Sequence, residues 1–169
     1  GIDCSGFVYN VLAAYLTQQG LDLGQQIRLF PGLKGKIEQL IFSFKRVRKC
    51  SAMTLTSNLN TVEIKATKDV QPGDLIRFTL PTWAGKHIGI IVDVTPSTIT
   101  YAHSGEGSQF KGPHLATIKV VSPQKGLSAQ IWQEKHQDGS SYKDHAFHPE
   151  KGDSVRRLKV LAGESAPTL

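Results

Sequence analysis

Long hydrophobic runs are missing from this chain of 169 residues, since no apolar stretch approaches the roughly 20 residues that a membrane-spanning helix needs. The sequence therefore predicts no membrane span. Internal repeats, low-complexity segments and a Pro-Gly-Ser linker are also missing, and 39% of the residues are hydrophobic, enough for one packed core. We therefore expect a single domain over residues 1–163, followed by a C-terminal tail over residues 164–169.

Cysteine is scarce as well, with only Cys4 and Cys50. At most one disulfide can form, and we interpret Cys50 as an inert packed thiol. Acidic side chains are outnumbered, 14 against 20 Lys and Arg, so the formal net charge is +6. Such a charge favours an anionic partner or a generally basic surface.

The basic residues are densest at residues 45–49, at the end of a predicted amphipathic helix over residues 37–48. Because the helix dipole favours cations at a C-terminal end, a solvated helix end is the simpler interpretation, with attraction to an anionic polymer as the alternative. No recognised nucleic-acid-binding motif accompanies the charge, so we expect no nucleic acid partner.

The opening of the chain predicts a helix that begins with Cys4 in its first turn. Asp3 is a good N-cap and Gly20 a plausible stop, and apolar side chains between them recur at helical spacing, namely Val8, Val11, Leu12 and Tyr15. Backbone N–H groups and the dipole at a helix N-terminus favour a thiolate over a thiol. Because the thiolate is the nucleophile, the sequence predicts that Cys4 attacks an electrophile.

Two histidines belong to the next informative segments. His87 lies at the start of an apolar run, residues 86–92, that predicts a buried strand, and His103 ends the following predicted strand, residues 98–103. Residues 93–97 between them predict a turn. In such a hairpin the beginning of the first strand lies beside the end of the second, so we expect His87 and His103 to be neighbours. Together with a thiol they would supply a nucleophile, a proton donor and an orienting group.

Four segments, taken in order, resemble the signature blocks of the NlpC-type cell-wall cysteine peptidases, a branch of the papain-like group. They are Asp3-Cys4-Ser5-Gly6-Phe7-Val8, Pro72-Gly73-Asp74-Leu75-Ile76-Arg77-Phe78, His87-Ile88-Gly89-Ile90 and Ala102-His103. In that family the helix-borne Cys is the nucleophile, the first His is its base and acid, and a second polar residue orients this His. The matching positions here are Cys4, His87 and His103.

The resemblance also implies a substrate. These enzymes hydrolyse, through a thioester and without a cofactor, an amide bond in the stem peptides of bacterial peptidoglycan, commonly next to a D-configured γ-glutamyl residue. In members that need a free amine on the stem, the positions matched by Asp3 and Ser5 help to bind it. The expected partners are therefore stem peptides and anionic cell-wall polymers, and the expected location is the cell envelope or the secreted fraction.

Trp83 lies in a loop immediately before His87, which makes it a candidate wall of the substrate cleft; an aromatic ring packed over the strand ends is the alternative. Family members usually carry an aromatic, Gly-rich segment upstream of the nucleophile, with a Tyr near the oxyanion site. The chain begins at Gly1, so we expect its natural N-terminus to lie further upstream. We expect a monomer or a part of a larger chain.

Three other functions remain open at the level of sequence. They are a thiol acyltransferase on the same scaffold, a toxin-like or phage-associated cell-wall amidase, and a non-catalytic wall-binding module. The first predicts added amines in the product, the second shares the hydrolytic chemistry in a different context, and the third lacks turnover.

The predicted fold is α+β and papain-like, with the nucleophile helix packed on an antiparallel sheet of about five strands near residues 75, 88, 98, 115 and 155. Residues 61–65 alternate like a short exposed strand, and Asp74 fits a turn-forming role. The polar residues 133–153 predict a surface excursion. Its histidines, His136, His145 and His148, do not match a usual zinc spacing, so we expect no metal site.

Overall fold

The computed structural model of the chain describes residues 4–28, 51–79, 86–105 and 107–163. Four α-helices are present in these ranges: α1 (Cys4–Gln18), α2 (Leu23–Gln26), α3 (Ala52–Leu55) and α4 (Tyr142–Ala146). The strands are β1 (Thr61–Ile64), β2 (Leu75–Thr79), β3 (Lys86–Val94), β4 (Thr98–Ser104), β5 (Pro113–Lys119), β6 (Ile131–Trp132) and β7 (Ser154–Leu158). The predicted α+β class is confirmed.

All seven strands belong to one antiparallel sheet with the order β1-β7-β2-β3-β4-β5-β6. The prediction of about five strands was too low. The five expected strands are β2, β3, β4, β5 and β7, and the two additional ones, β1 and β6, form the edges. β6 has only two residues, too few to produce a periodic pattern, and β1 was predicted as a strand but not as part of this sheet.

The sheet is packed on both faces. One face carries α1, which lies across β3 and β4 and buries a stripe of Val8, Leu12 and Leu16 against apolar strand residues such as Leu75, Ile88, Ile90 and Leu158. The other face carries a second apolar cluster built around aromatic rings, namely Phe78, Tyr101, Trp132, Tyr142 and Phe147. Strand residues alternate between these two clusters because successive side chains point to opposite faces.

α1 begins and ends close to the predicted positions. Gly20 has φ +74°, a left-handed conformation that favours glycine, and the N–H of Leu21 donates to the Leu16 carbonyl at 2.9 Å, which ends the helix. The predicted apolar face was wrong in one respect, because Tyr15 is 41% exposed. The buried stripe instead ends at Leu16, four residues after Leu12, as expected for side chains that share one helix face.

Residues 133–153 form a surface excursion only in part, so this prediction was partly wrong: residues 137–140 and 149–151 are exposed. Glu134, Tyr142, Ala146 and Phe147 are all buried. The Trp132 and Phe147 rings lie 5.3 Å apart between centroids, and the Tyr142 ring lies 6.3 Å from that of Phe78. A few aromatic side chains among many polar ones are therefore enough to hold this segment against the sheet.

Asp74 has the turn-forming role that was predicted, and it also joins two strands. Its carboxylate accepts a hydrogen bond from the Gln71 N–H at 2.9 Å in a turn where Gly73 has φ +92°. Arg157 on β7 donates to the same carboxylate through two nitrogens, at 2.7 and 2.9 Å. The Asp74 side chain is fully buried, so this bidentate ion pair connects the start of β2 to β7.

Several sequence predictions lie outside the described residues. They concern Asp3, the helix over residues 37–48, Cys50, Trp83 and the tail over residues 164–169. Within the described ranges, no helix is both long enough and apolar enough to cross a bilayer.

Candidate active site

Cys4 is the first residue of α1, as the sequence predicted. It is half-buried, carries a thiol rather than a disulfide, and packs against the apolar cluster beneath the helix. Ser5 follows it in the first turn and is half-buried too. Because α1 lies across β3 and β4, the predicted nucleophile stands on a helix that contacts both strands carrying the predicted histidines.

His87 and His103 are neighbours, which confirms the prediction from the hairpin. In the β3–β4 pair His103 lies directly opposite Gly89, so His87, two residues before Gly89, is its diagonal neighbour on the same face. Nε2 of His87 lies 2.9 Å from Nδ1 of His103, and both side chains are buried. One imidazole therefore orients the other through a direct hydrogen bond.

The surroundings of His87 keep it neutral. The Phe78 ring lies 5.4 Å from its imidazole between centroids, and only 4% of the residue is exposed. Burial, and next the neighbouring His103, lower the pKa of His87 to about 3 from an ordinary 6.5. At neutral pH this ring is therefore an unprotonated base that can accept a proton.

Glu134 is the residue that sequence reasoning missed. Its fully buried carboxylate lies 3.0 Å from Nε2 of His103 and 3.0 Å from Nε2 of His114, and it also accepts a hydrogen bond from the Tyr101 hydroxyl. Burial alone would raise the pKa of Glu134, but the hydrogen bonds from His103 and His114 outweigh burial and hold it well below its usual range. Glu134 is therefore an ionised carboxylate at the end of the histidine pair.

His114 was missed as well, although the strand register places it directly opposite His103 in the β4–β5 pair. Its Nδ1 lies 2.8 Å from the Gly112 carbonyl oxygen, and its Nε2 lies 3.0 Å from the Glu134 carboxylate. Nε2 also lies 3.2 Å from the Ser108 hydroxyl, which can donate or accept. The carbonyl and the carboxylate only accept hydrogen bonds, so their contacts assign a hydrogen to each ring nitrogen. Although burial lowers the pKa of His114, the hydrogen bonds to Glu134 and Gly112 raise it overall, which favours the protonated ring beside the Glu134 carboxylate.

Gly105, just after the end of β4, lies against the His87 and His103 rings. A Cβ built on Gly105 would lie 3.1 Å from Nε2 of His87 and 3.3 Å from Nδ1 of His103, closer than ordinary contacts. Any larger residue would therefore press on the two atoms that share the hydrogen bond. Glycine at this position permits the close approach of the loop.

Tyr142 adds a buried hydroxyl that forms no hydrogen bond within the described part of the chain. Burial, followed by the negative charge of Glu134, raises the pKa of Tyr142 far above its usual value, so the group stays a neutral phenol. The Tyr142 ring lies 5.5 Å from that of His103 between centroids.

Among the residues that the structure describes, two groups of side chains have donor atoms close enough to hold a metal ion. The first is His103, His114 and Glu134. Their ligand atoms already satisfy one another through the 3.0 Å hydrogen bonds described above, so a hydrogen-bond network accounts for this group without an ion.

The second group consists of His136 and Asp138, on the loop before α4, and His145, on α4 itself. The imidazoles of His136 and His145 are stacked, with centroids 4.2 Å apart and planes inclined by 18°. A metal ion lies in the plane of each ring that binds it, so two stacked rings cannot both bind one ion without rotating. The absence of a metal therefore remains a prediction that this geometry favours.

The described residues include the parts that nucleophilic catalysis needs. The thiol lies at the N-terminus of α1, which packs on one face of the sheet, and the neutral base and its carboxylate-anchored partner contact the aromatic cluster of the other face. No family model, curated protein or solved structure matches this chain. Its function must therefore be inferred from these side chains and their geometry.

Proposed function

We propose that this chain is a cysteine peptidase that hydrolyses an amide bond in the stem peptides of bacterial peptidoglycan. The observation that carries the proposal is the hydrogen-bonded series His87, His103 and Glu134 on strands that pack against the helix starting at Cys4. An unprotonated imidazole with a fixed partner can accept a proton as a general base and return it as a general acid. The four sequence blocks that resemble NlpC-type peptidases support this choice among thiol enzymes.

In the proposed mechanism His87 accepts the proton of the Cys4 thiol, and the sulfur attacks the scissile carbonyl carbon. The C–N bond then breaks, His87 returns the proton to the departing amine, and a thioester remains on Cys4. Water attacks the thioester with His87 as base, which releases a carboxylic acid and restores the thiol. The backbone N–H of Cys4 would stabilise the oxyanion at the helix N-terminus.

The proposed bond is the amide next to a D-configured γ-glutamyl residue. Ser5, in the first turn of α1, would help to bind a free amine of the stem peptide, together with Asp3. The net charge of +6 favours attraction to anionic cell-wall polymers, which would hold the enzyme near its substrate.

Mass spectrometry of purified peptidoglycan fragments tests the proposal. The chain and its Cys4→Ala variant are incubated with the same fragments, and His145→Gln serves as a control because this ring lies outside the His87 to Glu134 series. We expect fragments that gain one water at a single stem amide with the chain and with the control, and none with Cys4→Ala. Hydrolysis by Cys4→Ala would contradict the assignment of the nucleophile.

The other outcomes separate the remaining functions. Products that carry an added amine instead of water would show an acyltransferase. Binding to peptidoglycan without any product, by a chain whose fold is verified by circular dichroism, would show a wall-binding module and refute the peptidase.

A further inference from the structure

We propose that Glu134 and His114 are positioning residues that together determine which nitrogen of His87 accepts the proton. This inference rests on the proposed function, because it takes His87 as the base. Neither Glu134 nor His114 touches the reacting atoms in that mechanism. Each acts through the hydrogen bonds of His103.

The first step is set by the Glu134 carboxylate. An ionised carboxylate only accepts hydrogen bonds, so the His103 nitrogen that lies 3.0 Å from it, Nε2, must carry a hydrogen. Glu134 is held in place by further donors, the Tyr101 hydroxyl and Nε2 of His114. His103 therefore meets a fixed acceptor.

The second step concerns the single hydrogen between the two site imidazoles. Nε2 of His87 and Nδ1 of His103 are 2.9 Å apart, so one of them donates and the other accepts. If His103 donated, it would carry hydrogens on both nitrogens and a positive charge. His103 is fully buried, and its ring centroid lies 4.3 Å from that of the cationic His114. Two like charges at that distance are unfavourable, so His87 donates.

The third step gives the consequence for the base. A neutral His87 that carries its hydrogen on Nε2 has a lone pair on Nδ1. This is the nitrogen turned away from His103, so it is the one able to accept the thiol proton. The alternative pattern would place the hydrogen on Nδ1 and remove the acceptor.

His114 thus has a defined electrostatic role. Without its positive charge, the repulsion across the 4.3 Å between the two ring centroids would no longer oppose a hydrogen on Nδ1 of His103. His103 would then donate to Nε2 of His87, and His87 would change to the unproductive tautomer. The His114 cation prevents this change because it already neutralises Glu134.

Nuclear magnetic resonance of the imidazole ¹⁵N nuclei tests the inference independently of turnover. The full chain with Cys4→Ala, labelled at histidine, is measured at neutral pH. We expect hydrogens on Nε2 alone in His87 and His103, and on both nitrogens in His114. A neutral His114, or a His87 with its hydrogen on Nδ1, would overturn the proposal. This measurement needs no further variant, so it holds even where a replacement of His114 fails to fold.

A second measurement uses His114→Gln, whose amide can still donate to Glu134 but carries no charge. We expect His103 to gain a second hydrogen and His87 to change tautomer, and in the parent chain kcat should fall about 100-fold with KM little changed. His145→Gln is the matched control and should change neither readout. Unchanged tautomers in a folded His114→Gln variant would overturn the proposal.

The two readouts also separate this inference from the proposed function. If the tautomers are as expected but no peptidoglycan fragment is hydrolysed, the peptidase proposal is refuted, and the histidine tautomers have no catalytic role. Hydrolysis by a chain with different tautomers would refute only the role of Glu134 and His114.

Discussion

Acidification from about pH 6.5 to about pH 4.5 should destabilise the folded chain through His87. The pKa of this buried ring is about 3 in the folded protein against an ordinary 6.5. The unfolded chain therefore binds a proton at His87 first as the pH falls. The stability that the neutral ring contributes is fully present above the unfolded pKa and is lost as the pH falls toward the folded one.

The size of the loss follows from the distance between the two pKa values. One pKa unit corresponds to about 1.4 kcal/mol, so two units of acidification below 6.5 cost about 3 kcal/mol of unfolding free energy. The whole difference corresponds to about 5 kcal/mol, reached near pH 3. Because domains are stable by only about 5–15 kcal/mol, the loss is large enough to measure by unfolding.

The other titratable groups near His87 change the folding stability in the opposite direction, or only at lower pH. The lowered pKa of Glu134 gives stability that is present above its usual 4.5 and is lost only below that value. The raised pKa of His114 gives stability that is present below 6.5 and is lost as the pH rises above it. His103, hydrogen-bonded to His87, is common to the variants compared. Comparing chains with and without His87 therefore isolates the contribution of His87 to the pH dependence of the unfolding free energy.

Urea unfolding at about pH 7.5, 6.5, 5.5 and 4.5 measures this linkage. The Cys4→Ala chain is compared with the same chain carrying His87→Gln, whose amide can still donate to His103. We expect the first chain to lose about 3 kcal/mol more than the second between pH 6.5 and 4.5. His145→Gln, at a half-buried ring outside the His87 to Glu134 series, should follow the first chain. Equal losses with and without His87 would refute the claim that this ring is buried as a neutral base.

The remaining predictions concern activity and packing. His87→Ala should lower kcat more than His103→Ala, because the base acts directly and its partner only orients it; steady-state kinetics on stem peptides measure both, and the reverse order would exchange their roles. Gly105→Ala should cost about 1–3 kcal/mol in urea unfolding and lower kcat, since its Cβ would press on the shared hydrogen bond; an unchanged stability would contradict the close contact. Asp74→Ala should cost about 3–5 kcal/mol because it leaves the Arg157 guanidinium without its carboxylate, whereas Glu63→Ala should cost less than about 1 kcal/mol, because Glu63 is exposed and Arg156 keeps its hydrogen bonds to Asn58 and Ser154; similar costs for both would contradict this explanation.

Local pattern was enough to predict the parts of the site that lie close together along the chain. The helix with Cys4 in its first turn, the hairpin that makes His87 and His103 neighbours, and the turn at Asp74 all depend on contacts between residues near in sequence. Hydrophobic periodicity and turn residues encode such contacts directly. The sequence by itself therefore determined the local elements that carry Cys4, His87 and His103, and the contact between the two histidines.

The partners that complete the site were decided by the tertiary structure. His114 meets His103 only because β5 pairs with β4 in one register, and Glu134 reaches both rings only because Trp132 and Tyr142 hold its segment under the sheet. A single Glu in a polar stretch has the pattern of a surface residue, and burial by distant side chains leaves no periodic signal around it. The burial that lowers the pKa of the base arises in the same way, from packing between residues far apart in the chain.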